Sequence, residues 1–391
     1  MTERRQRVPD VFDEAHRRCH AGEPFALATV VATWHSAPQP PGATMLVAAD
    51  GTVTGSVSGG CVEADLYERA RRVLATGAPE LIRYGISDDD AYSVGLTCGG
   101  VLDVFVERVD PGALPGLDAV AAARRAAQPA AVVTCVAADA CNSPGTPPTD
   151  PARRLGRRLV LAGGQRRIGS LGDDRLDDAA SADALGLLAA GHSGMLRYGY
   201  SGQRRGSGVS LFVTAYATPP RMIVFGAIDF AAAVARIGAF LGYRVTVCDA
   251  RPVFTTVRRF PEADEVVVQW PHRYLRTEVD AGRVDERTVV CVLTHDPRFD
   301  VPLLELALRH PLAYVGAMGS RRTHDDRLKL LGEAGLTEAQ LARLASPIGL
   351  DLGGRTPEET AVSVAAQIVA ARWGGTGRPL AALDGPIHRP G

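Results

Sequence analysis

RMIVFGAIDFAAAVARIGAFLGYRVTVCDAR, residues 221–251, reads as a strand, a tight turn, a helix and a second strand. MIVF is a short apolar run of the buried-strand kind, Phe230 to Leu241 carries apolar residues at helical spacing, and YRVTVCDAR is a strand that ends on an acid. Asp249 follows Gly226 at the interval where a dinucleotide fold places its ribose-binding carboxylate. The glycines depart from the G-x-G-x-x-G pattern, because the chain has Gly226-Ala227-Ile228-Asp229-Phe230-Ala231. Isoleucine therefore stands where bare backbone should meet a pyrophosphate. Asp229 adds a negative charge at the helix start, which favours the helix and repels a phosphate. These residues predict a dinucleotide-type sheet and speak against ordinary NAD or NADP binding. A sheet of this kind with its nucleotide and one without it stay equally open.

The alternation continues downstream. DEVVVQ, RTVVCVLTHD and LAYVGAMGS read as strands, and Val301–Arg309, Arg321–Ala334 and Glu358–Trp373 as helices, which implies a doubly wound, mainly parallel α/β sheet covered on both faces. Ligands gather at the carboxyl ends of such strands, and three tips there are polar: Asp249-Ala250-Arg251, Thr294-His295-Asp296 and Gly319-Ser320-Arg321-Arg322. His295 beside Asp296, with Asp300 close by, suits a general base or a metal ligand, and equally a satisfied loop histidine. Ser320 and Arg321 suit a phosphate or carboxylate. On the plainer reading Arg322, Asp325, Asp326 and Arg327 form a solvated helix face.

Upstream, the rigid Pro219-Pro220 pair marks a boundary, giving domains 1–217 and 221–373 and an aperiodic tail, 374–391. The first domain reads as mixed α/β. ALATVVAT, TMLVA and TVTGSV are strands, and a helix runs from Val62 to Gly77 with Val62, Leu66, Ala70, Val73 and Leu74 on one face. The strand VLDVFVERV, a helix over Leu117–Ala127, strands at AAVVTCVAA, RRLVLAGG and RRIGSL, a helix over Asp173–Ala190 and the strand SLFVTAYATPPR follow.

Two loops of the first domain carry chemistry. In SGGCVE, residues 58–63, taking Gly60 as the N-cap makes Cys61 the first helical residue and gives Glu63 the capping-box position. Unsatisfied N–H groups and the helix dipole then favour a reactive thiolate at Cys61. Gly59 and Gly60 leave the backbone open to a bulky anion. In LTCGG, residues 96–100, the glycine pair follows Cys98. Either loop alone fits a small cysteine in a tight turn whose glycines supply positive φ; together they point to two walls of one pocket formed by Ser58, Gly59, Gly60, Cys61, Glu63, Cys98, Gly99 and Gly100. Neither loop has the paired spacing of a structural zinc site. Cys135, Cys248 and Cys291 lie in apolar strands and read as packing residues.

Composition narrows the class. A chain of 391 residues, 46% apolar, exceeds one compact core, and its net charge of -1 argues against nucleic acid or an anionic membrane as a partner. No run is long enough to span a membrane and MTERRQRVPDVFDEAHRR lacks a secretory core, so a cytoplasmic protein is expected. The seven scattered cysteines read as thiols, and the single lysine, Lys329, argues against Walker-type phosphate binding and Schiff-base chemistry.

SAPQPPG, GSVSGGCVE, LTCGG, CDAR, THD, YVGAMGSR and SPIGLDLGGRTPEETAVSVAAQIVAAR occur in this order between Phe25 and Trp373. In this the chain resembles the XdhC/CoxI family of molybdenum-enzyme accessory proteins. The resemblance implies an N-terminal XdhC/CoxI domain and a C-terminal Rossmann domain that bind molybdenum cofactor, in its molybdopterin form, between them. It further implies protection of the cofactor while a terminal sulfido ligand is installed and delivery to an apo molybdenum hydroxylase of the xanthine dehydrogenase or CO dehydrogenase class. A cysteine desulfurase is an implied partner, and such folds commonly form homodimers. Cys61 and Cys98 become candidates for the molybdenum end. The remaining candidate contacts are Ser58, Gly59, Gly60, Glu63, Gly99, Gly100, Gly226, Asp249, Arg251, His295, Asp296, Ser320 and Arg321. Departures are Ile228 and Asp229 in place of a glycine-rich turn with histidine, Gln39 where an arginine often follows the SAP turn, and Gln367 in place of a common glutamate. The expectation is a binding and insertion protein without turnover. The alternatives are an NAD(P)-dependent oxidoreductase and a redox or sulfur-transfer protein using Cys61 and Cys98 as a dithiol.

Overall fold

Between Thr218 and Pro219 the architecture changes, and the chain divides there into two units. The structure is a computed structural model that describes residues 10–35, 37–85, 100–112, 114–139, 151–163, 166–294 and 296–384.

The first unit opens with α1 (Val11–Ala21), β1 (Phe25–Trp34), β2 (Thr44–Ala48), β3 (Val53–Gly55), α2 (Glu63–Thr76), β4 (Glu80–Tyr84) and β5 (Val101–Val109). It continues with α3 (Leu117–Arg125), β6 (Ala130–Ala138), β7 (Arg158–Ala162), β8 (Arg166–Gly169), α4 (Asp174–Ala190), β9 (Gly194–Tyr198) and β10 (Val209–Tyr216). Two antiparallel five-stranded sheets result, in the orders β3-β2-β1-β5-β4 and β8-β7-β6-β10-β9. Helix α1 and strands β4 and β9 are not among the elements expected from the sequence. Asp10 caps α1 by accepting from the Phe12 N–H at 3.1 Å, and Gly22 ends it in the left-handed region.

The second sheet repeats the first, element for element. Gly55, Ser56, Val57, Val62, Gly77, Arg83, Tyr84 and Gly85 match Gly169, Ser170, Leu171, Leu176, Gly191, Arg197, Tyr198 and Gly199 at one constant spacing. In each copy one helix packs on one face of its sheet: α2 buries Leu66, Ala70 and Val73 against Ala28, Val30, Val47 and Val104, and α4 buries Leu176, Ala180 and Ala184 against Val133, Leu159, Leu161 and Leu211. On the opposite faces Val31 and Phe105 meet Val136 and Phe212. Beside them a cavity of about 200 Å³ is bordered by the buried Glu107–Arg158 ion pair.

The second unit contains β11 (Arg221–Phe225), α5 (Asp229–Phe240), β12 (Arg244–Asp249), β13 (Glu265–Val268), α6 (Pro271–Asp280), β14 (Val289–Val292) and α7 (Pro297–Arg309). After these come β15 (Tyr314–Ala317), α8 (Arg321–Glu333), α9 (Glu338–Leu341), β16 (Leu344–Ala345) and α10 (Pro357–Trp373). All six strands are parallel, in the order β13-β12-β11-β14-β15-β16, which is the Rossmann order with its reversal between β11 and β14. Every residue of β11, β14 and β15 is buried, as strands covered on both faces require. Val224, Val234, Val247, Val364 and Ile368 fill one layer, joining the sheet to α5 and α10. Ile223, Phe225, Leu275, Leu304 and Leu331 fill the other, joining it to α6, α7 and α8. The amphipathic helix α6 is not expected from the sequence, because PHRYLRTEVD buries only Pro271, Tyr274, Leu275 and Glu278 among charged neighbours.

Gly55 and Gly169 hold matching positions with φ of 87° and 84°, and a Cβ at either would press on a strand carbonyl, that of Thr44 or Arg158. Gly77 has φ 74° with open space around it. Gly55→Ala and Gly169→Ala are each expected to destabilise the protein by about 2–4 kcal/mol, against about 1 kcal/mol for Gly77→Ala. Shifts in the urea unfolding midpoint at constant m-value measure the difference.

Candidate functional site

Glu63 organises the turn between β3 and α2. Its Oε1 accepts from the Ser56 hydroxyl and from the N–H groups of Val57 at 3.2 Å and Ser58 at 2.9 Å. Its Oε2 accepts from the Ser58 hydroxyl and from the N–H groups of Gly60 at 2.9 Å and Val62 at 3.2 Å. Ser58 is buried, and its Oγ in turn accepts from Cys61 N–H at 3.0 Å and Val62 N–H at 3.1 Å. Gly59 N–H goes to the Ser56 Oγ at 3.0 Å. Burial pushes the Glu63 carboxyl up, but the Ser56 and Ser58 hydroxyls and the surrounding N–H groups outweigh it and hold the group at about 2.

This geometry corrects the expected helix start. Helix α2 begins at Glu63 with Val62 as an N-cap that makes no side-chain bond, so Cys61 lies ahead of the helix, half-buried in a bend. The carboxylate gathers donors from the preceding turn as well as from Gly60. The backbone is sterically open, since a Cβ at exposed Gly59 or Gly60 would meet nothing within 4 Å. Its N–H groups are nonetheless already bonded. Both glycines also have positive φ, 75° and 121°, so conformation requires them as much as openness does.

The repeat supplies an internal reference. At the corresponding turn, Asp177 accepts from Leu171 N–H at 2.8 Å, as Glu63 does from Val57. There Asp173 stands in place of Gly59 and caps the helix through Leu176 N–H at 3.0 Å, so α4 starts at Asp174, the position of Gly60. Arg175 occupies the position of Cys61. A side-chain cap is worth about 1 kcal/mol. The first copy forgoes that cap and part of a helical turn to form the Gly-Gly-Cys bend, which the connection itself does not need.

In the second unit Gly226, Asp249 and Arg251 come together at the switch point. Gly226 has φ 118°, and a Cβ there would come within 3.0 Å of the Leu293 carbonyl carbon and 3.2 Å of the Thr294 N. Asp249 is buried and fully engaged: Oδ2 accepts from Ala227 N–H at 2.7 Å and Arg251 Nη2 at 2.8 Å, and Oδ1 from Arg251 N–H at 2.9 Å and Nε at 3.0 Å. Burial raises this carboxyl, and the Arg251 contacts more than reverse it, leaving it below the usual range. The acceptors of Asp249 are thus met from within the chain, and Ile228 packs in part against the core. Ala227, Ile228, Asp229, Arg251, Phe254 and Arg259 line an open recess at this edge. Arg259 donates to Asp229 at 2.9 Å and to the Ala227 carbonyl at 3.2 Å. The Phe254 ring lies between two guanidinium groups, 5.0 Å from Arg251 and 5.7 Å from Arg259. Phe254 and Arg259 are not singled out by the sequence motifs; an aromatic followed by an Arg-Arg pair just past the β12 tip was the available signal.

The other strand tips make contacts within the chain at several of their described residues. Asp296 caps α7 and pairs with Arg298, Ser320 caps α8 through Thr323 N–H at 3.1 Å, and Arg321 is exposed. Arg327 is not part of a solvated face. It is buried against Asp300 at 3.3 Å, the Met318 carbonyl at 3.0 Å and Ser346 Oγ at 3.0 Å, while Arg322, Asp325 and Asp326 are exposed. Gln367 accepts from Tyr314 OH at 2.6 Å and Gly349 N–H at 2.7 Å. Gly100 is buried just ahead of β5, whereas Cys98, Gly99 and His295 lie outside the described residues. Among the described residues, no helix is long and apolar enough to cross a membrane.

Comparison with known proteins assigns residues 222–368 to the XdhC Rossmann domain and residues 19–85 to the XdhC and CoxI family. A Bacillus subtilis (strain 168) protein described as a probable xanthine dehydrogenase subunit is 26% identical over 352 residues, covering 90% of this chain and 94% of that one. The molybdenum cofactor insertion chaperone PaoD of Escherichia coli (strain K12) is 25% identical over 352 residues, covering 90% of this chain and 85% of that one. A crystal structure described as a xanthine dehydrogenase from Bacillus halodurans, 23% identical, superposes with a TM-score of 0.62 over 95% of this chain and 97% of that one, a likeness of fold.

Because its carboxyl is held down to about 2 in the folded state, Glu63 contributes stability that is complete above the ordinary carboxylate range and lost as pH falls toward 2. Glu63→Ala is therefore expected to cost about 2–3 kcal/mol at pH 7. The difference should shrink steadily below about pH 4.3. Urea titrations of both proteins across that range measure it; a difference that does not vary with pH would show that the carboxylate's charge is not what holds the turn.

Proposed function

Since the chain belongs to the XdhC and CoxI family, we propose that it binds molybdenum cofactor and passes it to an apo molybdenum hydroxylase of the xanthine dehydrogenase or CO dehydrogenase type. The observation that carries this is its similarity along 90% of its length to a molybdenum cofactor insertion chaperone. In its full form the proposal includes a cysteine desulfurase as donor of the sulfido sulfur.

The local chemistry supports the reading. The cargo is bulky and anionic, with a molybdenum centre, a pterin heterocycle and a phosphate. Cys61, half-buried and packed in part against the core, offers a soft donor suited to the metal end beside two glycines at which a side chain would meet nothing. The N–H groups around it are held by Glu63 and the two serines, so recognition at this loop is assigned to sulfur, with the bare main chain giving access. In the second unit the Arg251, Phe254 and Arg259 recess presents two guanidinium groups for a phosphate and an aromatic face for a heterocycle.

Protein isolated without oxygen from cells that make the cofactor is expected to carry molybdenum and pterin fluorescence in equal amounts. Cys61→Ala should lower both about tenfold or more. Arg251→Ala with Arg259→Ala should lower pterin retention as well. Metal analysis and fluorescence read both variants, and retention undiminished by Cys61→Ala would remove the thiol from the binding model.

A further inference from the structure

His16 and His20 lie one helical turn apart on α1, so their side chains leave the same face. Asp118, in the first turn of α3, faces them. His16 Nε2 is 2.9 Å and His20 Nε2 is 2.8 Å from one and the same oxygen, Asp118 Oδ1. The three ligand atoms all lie within 4.8 Å of one another, and the two rings meet edge to face with centroids 4.6 Å apart. Solvent reaches the cluster, since the side chains are 24%, 59% and 76% exposed.

We propose that His16, His20 and Asp118 form a binding site for a divalent transition-metal ion of the zinc class. Two imidazole nitrogens and a carboxylate oxygen are the donors such ions prefer, and magnesium or calcium would be poorly served by the two nitrogens. Zinc takes these ligands at about 2.0–2.2 Å, which small rotations of exposed side chains reach from the observed spacing. Three protein ligands leave a further position for water. The site lies apart from the Gly-Gly-Cys bend in sequence and shares no residue with it, so it does not depend on the cofactor reading.

Its position gives it a structural consequence. Helix α1 precedes the first sheet copy and α3 precedes the second, so a bound ion would tie the two copies together at their leading helices. Phe12 and Ala15 of α1 and Leu117 of α3 also line the cavity between the sheets. The ion would therefore clamp two helices that wall that cavity.

The test uses the full chain without a histidine tag, stripped of metal by a chelator and titrated calorimetrically with zinc chloride. One zinc per chain is expected, with a rise in melting temperature as zinc is added. His16→Gln, His20→Gln and Asp118→Asn should each weaken binding about tenfold or more, and Cys61→Ser should leave it unchanged. All three positions are solvent-accessible, and circular dichroism verifies that each variant folds. Cobalt in place of zinc should give d–d bands without a thiolate charge-transfer band. Absence of zinc binding, binding unchanged in the His16→Gln/His20→Gln double variant, or a thiolate band would each overturn the proposal.

Discussion

Main-chain N–H groups at the turn between a strand and a helix must find acceptors, and here carboxylates from the same chain supply them. Glu63 does so between β3 and α2, Asp177 between β8 and α4, and Asp249 between β11 and α5. Such turns are where folds of this type ordinarily receive anions. Each internal carboxylate fixes the path of the chain at its turn.

The doubled first unit shows what the fold alone requires. Both copies use the same strand order, the same pair of close-packed glycines and a buried tyrosine at matching positions, Tyr84 and Tyr198, each donating to an aspartate on its helix. The copies differ at the helix start. Asp173, Asp174 and Arg175 give α4 a capped start, and Gly59, Gly60 and Cys61 give α2 a later, uncapped one. The later start is the one that places a cysteine in the bend.

The Rossmann unit follows the same pattern. Asp249, which in a dinucleotide site would be left for a ribose, commits its acceptors to Ala227 and Arg251. Asp229, which would repel a phosphate, has its charge met by Arg259. Both contacts concentrate guanidinium groups at the edge of the switch point, where a ligand of this fold would enter.

Much of this was legible in the sequence. Hydrophobic alternation placed the parallel sheet of the second unit, and its strands and principal helices fall within a few residues of expectation because period and burial are local properties of the chain. Helices α1 and α6 are not expected from the hydrophobic pattern, since each buries only a few residues among charged neighbours. The sequence pattern places Cys61 as the first helical residue after a Gly60 cap, whereas the helix starts at Glu63, whose carboxylate also gathers donors from the turn before Gly60. Arg327 looked solvated because its neighbours on α8 are charged, and it is buried because Asp300, far away in sequence, lies opposite. The sequence by itself determined the class of sheet, the turns where glycine is obligatory and the residue types available for chemistry. Only the tertiary structure decided which carboxylates were already occupied and brought His16, His20 and Asp118 to one point, because those pairings join segments that no local pattern connects.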